Sequence, residues 1–236
     1  MIHILDKIPI TATKTQVIEQ LRVTEEEDIA IAIDLFKRVR EIARPKAMYR
    51  ESFVDGIEGD ATEGSAGSCI VRIGGVTFRS QVVAMALAGV HRVFPYVCTC
   101  GTEVDEWSRT LSDYVMQVWV DMIKQMLVYD AVIHLRDHIS HVFGFNAISS
   151  VNPGSGNLEN WPIAQQVQLF ELVGEVKESI GVTLTDNYLM IPTKSTSGIY
   201  FPSETAFVNC ALCNRENCQG RRAEFDSSLY EKAFMG

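Results

Sequence analysis

The sequence has no excess of basic residues. Its 21 Lys and Arg stand against 30 Asp and Glu, giving a formal net charge of -9 and a pI near 5.1. A protein that grips a phosphate backbone needs the opposite balance, so nucleic acid is not expected as a partner. Long apolar runs are also missing. No segment approaches 18 uninterrupted apolar residues, so no membrane span is expected. The stretch Met1-Ile-His-Ile-Leu-Asp-Lys-Ile8 places charges where a signal peptide would be apolar. Together these absences predict a cytoplasmic protein whose six cysteines serve as thiols or metal ligands rather than disulfides. The phosphate-cradling runs Gly-x-Gly-x-x-Gly and Gly-x4-Gly-Lys-Ser/Thr are absent, as is the Gly-x-Ser-x-Gly nucleophile elbow. Kinase and hydrolase readings lose their best support. There is no internal repeat and no low-complexity tract.

What is present is an ordinary globular composition, 47% hydrophobic and 22% charged, in a chain of 236 residues that can bury a substantial core. A short strand is expected over residues 2–10 and a helix over 14–23. Thr24 and Glu27 form a candidate capping box for a second helix carrying Ile29, Ala32, Ile33, Phe36 and Val39 at helical spacing. The period then changes. Residues 47–54 and 68–73 read as strands, and Gly74-Gly75 turns the latter into 76–79. A helix follows over 81–89, a strand over 92–98, and one long or two joined helices over 107–143. Residues 146–162 are rich in Asn, Gly and Pro and read as a binding loop. A helix over 163–180 and strands over 183–190 and 198–201 complete the domain. Strands and helices do not alternate regularly, which predicts α+β with an antiparallel sheet.

Three groups of residues invite chemistry. Cys210-x2-Cys213-x4-Cys218 has spacing that lets three thiolates converge on one soft metal, with Gly220-Arg221-Arg222 following. An iron-sulfur centre, a structural zinc and free thiols are the alternatives. Three ligands are one short of a full set, and Cys100, Cys98, another side chain or an exogenous group would complete it. Cys98-Thr-Cys100-Gly101 precedes an acidic helix start, where a thiol pKa can be depressed, which ranks Cys100 ahead of Cys98. Cys69 reads as core. His134, His138 and His141 share one helical stripe, which is read as the polar edge of an amphipathic helix and not as a metal site.

The run Gly181-x-x-Leu184-Thr185-x4-Met190-x-Pro192-x-x-Ser195-x-Ser197-Gly198-x-Tyr200-Phe201 resembles the signature of the activation domain of cobalamin-dependent methionine synthase. Upstream, Asn152-Pro153-Gly154-Ser155 is similar to that family's Pro-Gly loop. Ser150 stands where the family's arginine would be, and Ser155 replaces its tyrosine. The resemblance is clear over about residues 145–205, and the cysteine-rich tail lies outside the family pattern. It implies a C-shaped α+β domain, a twisted antiparallel sheet flanked by helices, over 1–207; the cysteine spacing, not the resemblance, makes 208–236 a metal-binding tail.

By the same resemblance, Pro153, Gly154, Ser155, Ser195, Ser197, Gly198 and Tyr200 form the binding edge. The implied activity is reductive reactivation of a corrinoid (cobalamin) protein or methyltransferase. Electrons would come from an electron donor protein through an iron-sulfur cluster on Cys210, Cys213, Cys218 and Cys100. The alternatives are a non-catalytic corrinoid-protein partner with structural zinc, and S-adenosylmethionine-dependent reductive methylation of cobalamin. Serine cannot imitate the multidentate charge of the missing arginine, so weak or absent S-adenosylmethionine binding is expected.

Overall fold

The computed structural model describes residues 1–59, 69–154, 161–203, 211, 216, 223–228 and 231. The sheet is organised around the strand β6 (Arg92–Thr99). On one edge it pairs with β2 (Lys46–Arg50) over residues 96–99 and with β3 (Ser52–Glu58) over residues 92–93. On the other edge it pairs with β10 (Ser195–Pro202) along nearly its whole length, Ser195 opposite Thr99 and Tyr200 opposite Phe94. The β2 and β3 segments were expected as one strand. They are two because the strand is interrupted at Glu51, and on either side of it the sheet takes different further neighbours. β1 (Ile2–Leu5) adds to β2, whereas the hairpin β4 (Ile70–Ile73) and β5 (Val76–Arg79) adds to β3. All pairings are antiparallel, as the irregular order of strands and helices led us to expect.

Alternation along β6 sends successive side chains to opposite faces. Val93 and Val97, with Met48 of β2 and Ile199 and Phe201 of β10, pack on α3 (Gln81–Ala86), α6 (Gln166–Val173) and α7 (Val176–Ile180). Phe94, Tyr96 and Cys98, with Ala47, Tyr49 and Tyr200, pack on Ala131, Leu135 and Ile139 of the long helix α5 (Tyr114–Phe143). A third cluster joins α5 to α1 (Lys14–Leu21), α2 (Glu26–Ile42) and α4 (Thr102–Ser108) through Val17, Phe36, Val39, Val104, Ile123 and Leu127. The result is an α+β fold whose curled antiparallel sheet is covered by helices on both faces.

Several local expectations change. The capping box lies at the first helix, not the second. Thr13 accepts from the Gln16 amide at 3.3 Å while the Gln16 side chain accepts from the Thr13 amide at 2.9 Å. At α2 the N-cap is Glu25 with no side-chain bond, and its first turn relies on Glu26, Glu27 and Asp28 against the positive helix end. The 107–143 region is two helices, because Asp113 caps α5 by accepting from the Met116 amide. The expected helix over 163–180 is broken at Gly174, whose φ of +77 is outside the helical region. A 3-10 turn at Ile163–Gln165, then α6 and α7, replace it. The expected loop over 146–162 contains a strand, β7 (Ile148–Val151), paired with β10. Residues 183–190 give only the two-residue strands β8 (Thr183–Leu184) and β9 (Met190–Ile191). No helix among the described residues is long and apolar enough to cross a membrane.

Candidate functional site

The junction of β7, β10 and the start of α6 brings together residues that lie far apart in sequence. Val151 ends β7 opposite Ile199, and Asn152 then folds its side chain back over β10. Its amide nitrogen donates to the Ser197 carbonyl at 2.7 Å and to the Tyr96 hydroxyl at 2.9 Å. The place is open to that amide because residue 198 is glycine. A Cβ there would stand 2.3 Å from Asn152 Nδ2 and 2.6 Å from the Val151 carbonyl oxygen. Pro153 and Gly154 continue the turn. Gly154 sits at φ +70, donates its amide to the Trp161 carbonyl at 2.9 Å and faces Ile163 so closely that a Cβ would come within 2.8 Å of it. Glycine is therefore required here both by backbone conformation and by space.

On the α6 side, the buried Ser197 hydroxyl donates to Gln166 Oε1 at 3.0 Å. Gln166 passes the chain on, its Nε2 donating to the Tyr188 carbonyl at 2.9 Å. Tyr188 holds φ +62, so this turn is fixed in a conformation that non-glycine residues rarely adopt. Ser195 lies one pleat before Ser197 and closes the preceding turn, donating to the Pro192 carbonyl at 2.8 Å and to Thr99 Oγ1 at 2.9 Å. Trp161, fully buried against Phe78, has an indole nitrogen with no hydrogen-bond partner among the described residues.

Pro153, Gly154, Ser197 and Gly198 are thus brought together, with Ser195 beside them. Tyr200 shares a face of β10 with Gly198, opposite to Ser195 and Ser197. It is 4% exposed and stacked on Tyr96, whose hydroxyl accepts from Asn152, with ring centroids 4.3 Å apart. Its hydroxyl donates to the Val132 carbonyl of α5 at 3.3 Å. Burial raises its pKa well above the ordinary tyrosine value, with Tyr96 and Cys98 adding to the shift. Ser150, paired with Tyr200 across β7 and β10, lies beside this cluster. Asn152, Gln166 and Tyr96, which bond the junction, had no distinguishing signal in sequence. Gln166 follows another glutamine, and only the fold decides which of the two is buried.

The cysteines divide into two sets. Cys210, Cys213 and Cys218, like Ser155, lie outside the described residues. Cys100 is described and fully buried beside Val104, its thiol directed at the Gly101 carbonyl 3.5 Å away. The thiol pKa expected to fall at the start of α4 rises instead to about 12, because burial outweighs the nearby Lys124 ammonium. Ligation would require this thiol to surrender a tightly held proton. Cys98 is raised further by burial alone, and Cys69 is core as expected. No group of three or more His, Cys, Asp or Glu among the described residues is arranged to hold a metal ion. That includes the histidine stripe on α5, where the His138 and Tyr49 side chains make a 3.2 Å hydrogen bond.

With this geometry in view, residues 151–222 match the family model described as "Vitamin B12 dependent methionine synthase, activation domain". The C-terminal third resembles a methionine synthase activation domain. The match contains the Asn152–Gly154 turn, the Gln166 helix and all of β10, and it runs through Cys210, Cys213 and Cys218. Among solved structures, the fold is similar to that of the MetH reactivation domain bound to AdoHcy. The TM-score is 0.55 at 13% sequence identity, covering 88% of this chain and 81% of that one. At that identity the likeness speaks for the fold. No curated protein matches the chain.

Proposed function

We propose that this protein docks on a corrinoid protein in the cytoplasm and returns its oxidised cobalt to the active state by supplying one electron. The observation that carries this reading is the coincidence between the family match over residues 151–222 and the junction just described. The matched segment supplies the turn at Asn152, the hydrogen-bonded Ser197 and, at Gly198, the space that the Asn152 amide fills, all in one place. Such a junction holds a loop rigidly at a sheet edge, which is what docking against a second protein needs.

S-adenosylmethionine finds little support among the described residues of the junction. Asn152, Ser195 and Ser197 offer no cation for its carboxylate, and Lys194 is engaged with Asp121 at 2.8 Å. The space over Gly198 is filled by the Asn152 amide. The proposed reaction is therefore reduction alone. Cys210, Cys213 and Cys218 would hold the centre that carries one electron from an external electron donor protein to Co(II) of the partner, which would become Co(I). An iron-sulfur cluster supplies the low potential that this step demands. The tail over 208–236 is in this account the electron-carrying part, and residues 1–207 the docking part. Cys100 stays a core thiol, and the fourth ligand comes from another group.

The test is anaerobic purification followed by iron, sulfide and zinc analysis of the parent protein and of Cys213→Ala. Iron and sulfide in the parent, both lost in the variant, are expected. Stoichiometric zinc without sulfide would leave only a non-catalytic corrinoid-protein partner.

A further inference from the structure

Helix α5 carries one carboxylate inside an apolar stripe. Met122, Met126, Tyr129 and Ile133 share a helix face, and Asp130 stands on it four residues after Met126. Met122 and Met126 pack in part on the cluster of α1, α2 and α4, and with Ile133 they also line a groove of about 970 Å³ between α5 and α1. Asp130 lines the same groove, although it is only 9% exposed.

A carboxylate is almost never this buried without a cation, because a few hydrogen bonds replace only part of the water lost around a charge. Asp130 accepts from the Thr11 amide at 3.0 Å on one oxygen and from the Thr11 hydroxyl on the other. It makes no further bond and no ion pair among the described residues. A carboxylate has about four lone-pair sites, so each oxygen keeps one open. Arg22, the one base lining the groove, is exposed at the end of α1 and does not pair with Asp130. Glu19, exposed on α1, is a second acid in the lining, which therefore favours a positive ligand.

We infer that this groove binds a small organic ammonium ion, its cation on Asp130 and its apolar body along Met122, Met126 and Ile133. The ammonium donates to the open lone pairs of a charged, largely desolvated acceptor, the stronger kind of hydrogen bond. Methionine side chains adapt to an alkyl or aromatic body, and Tyr129, 52% exposed, offers a ring beside the carboxylate for the cation. The groove is within the roughly 300–1,000 Å³ that small-molecule clefts occupy. A hard metal ion does not suit it, since such an ion takes about six or more oxygens and the described residues hold no group of three or more His, Cys, Asp or Glu arranged for one. All the lining residues precede the matched segment 151–222, so the inference does not depend on the proposed function.

Titration of the full chain with 2-phenylethylammonium tests it, read at constant ionic strength from the carbon-13 resonances of the methionine methyl groups. Of the eight methionines, Met122 and Met126 are expected to shift saturably, with a Kd at or below about 10 mM, ordinary for a ligand of that size. 2-Phenylethanol keeps the ring and lacks the charge. It should bind at least about tenfold more weakly, because a bond to a charged group is lost. Asp130→Asn, which can still accept from Thr11, should weaken ammonium binding by about the same factor, whereas Glu19→Gln on the exposed rim should change it less than about threefold. If Asp130→Asn fails to fold, Tyr129→Ala at an exposed position should still weaken binding by about threefold. Ammonium and alcohol bound equally well, or no saturable shift at Met122 and Met126, would overturn the inference. Ammonium binding undiminished by Asp130→Asn, or by Tyr129→Ala in its place, would do the same.

Discussion

Replacing Gly198 by alanine probes the junction where the candidate site is built. The backbone at Gly198 is not left-handed, so the cost comes from space alone. The new Cβ would stand 2.3 Å from Asn152 Nδ2, 2.6 Å from the Val151 oxygen and 3.0 Å from the Tyr96 hydroxyl. The Asn152 amide must leave, and with it go its bonds to Ser197 and Tyr96, at about 1 kcal/mol each. The Val151 carbonyl cannot leave without opening β7 from β10, an overpacking that costs about 1–3 kcal/mol. A loss of about 3–4 kcal/mol is expected, within the combined range of those two effects. For a chain of this size each kcal/mol lowers Tm by about 2–4 °C, so the transition should fall by roughly 6–16 °C. Asn152→Ala alone should cost about 2 kcal/mol. In the double variant the amide is lost only once, so its cost should be less than the sum, yet the Val151 clash should keep it above Asn152→Ala. Thermal and urea unfolding of the four proteins measure all of this. Gly198→Ala within about 0.5 kcal/mol of the parent, the range of ordinary surface changes, would refute the packing argument.

Two further perturbations address the buried charge and the buried acids. Lys124, 5% exposed, bonds Asp105 at 3.0 Å and Ser108 at 3.2 Å; Lys124→Met leaves Asp105 with only Arg109 and should cost about 3 kcal/mol in urea unfolding. Cys98, Cys100 and Tyr200 all have pKa values raised by burial, so in alkali the unfolded chain releases protons that the folded chain retains. Stability that is complete below pH about 9, near the unfolded thiol value, should therefore fall as pH rises above it, and Cys100→Ala should make that fall shallower.

The strand over 92–98 and the Gly74-Gly75 hairpin were legible in the sequence because strand composition and turn chemistry are local. The interruption at Glu51 and the strand at 148–151 were not, since each depends on pairing with a strand distant in sequence. The site was half legible for a similar reason. Pro153, Gly154, Ser197 and Gly198 belong to recognisable motifs, and they do meet. Tyr200 belongs to the same motif and shares the face of Gly198, yet its ring is buried on Tyr96 and against α5. Cys100 shows the limit of a local argument. A helix start favours a thiolate, but full burial there is the larger effect.

The most direct measurement is the electron paramagnetic resonance signal of Co(II) in a corrinoid protein reconstituted with cob(II)alamin, followed anaerobically with a reduced low-potential donor. The account predicts that the signal disappears when this chain is added, and persists with the donor alone or with Cys213→Ala in place of the parent. A signal lost equally fast without the chain, or unchanged in its presence, would contradict the account.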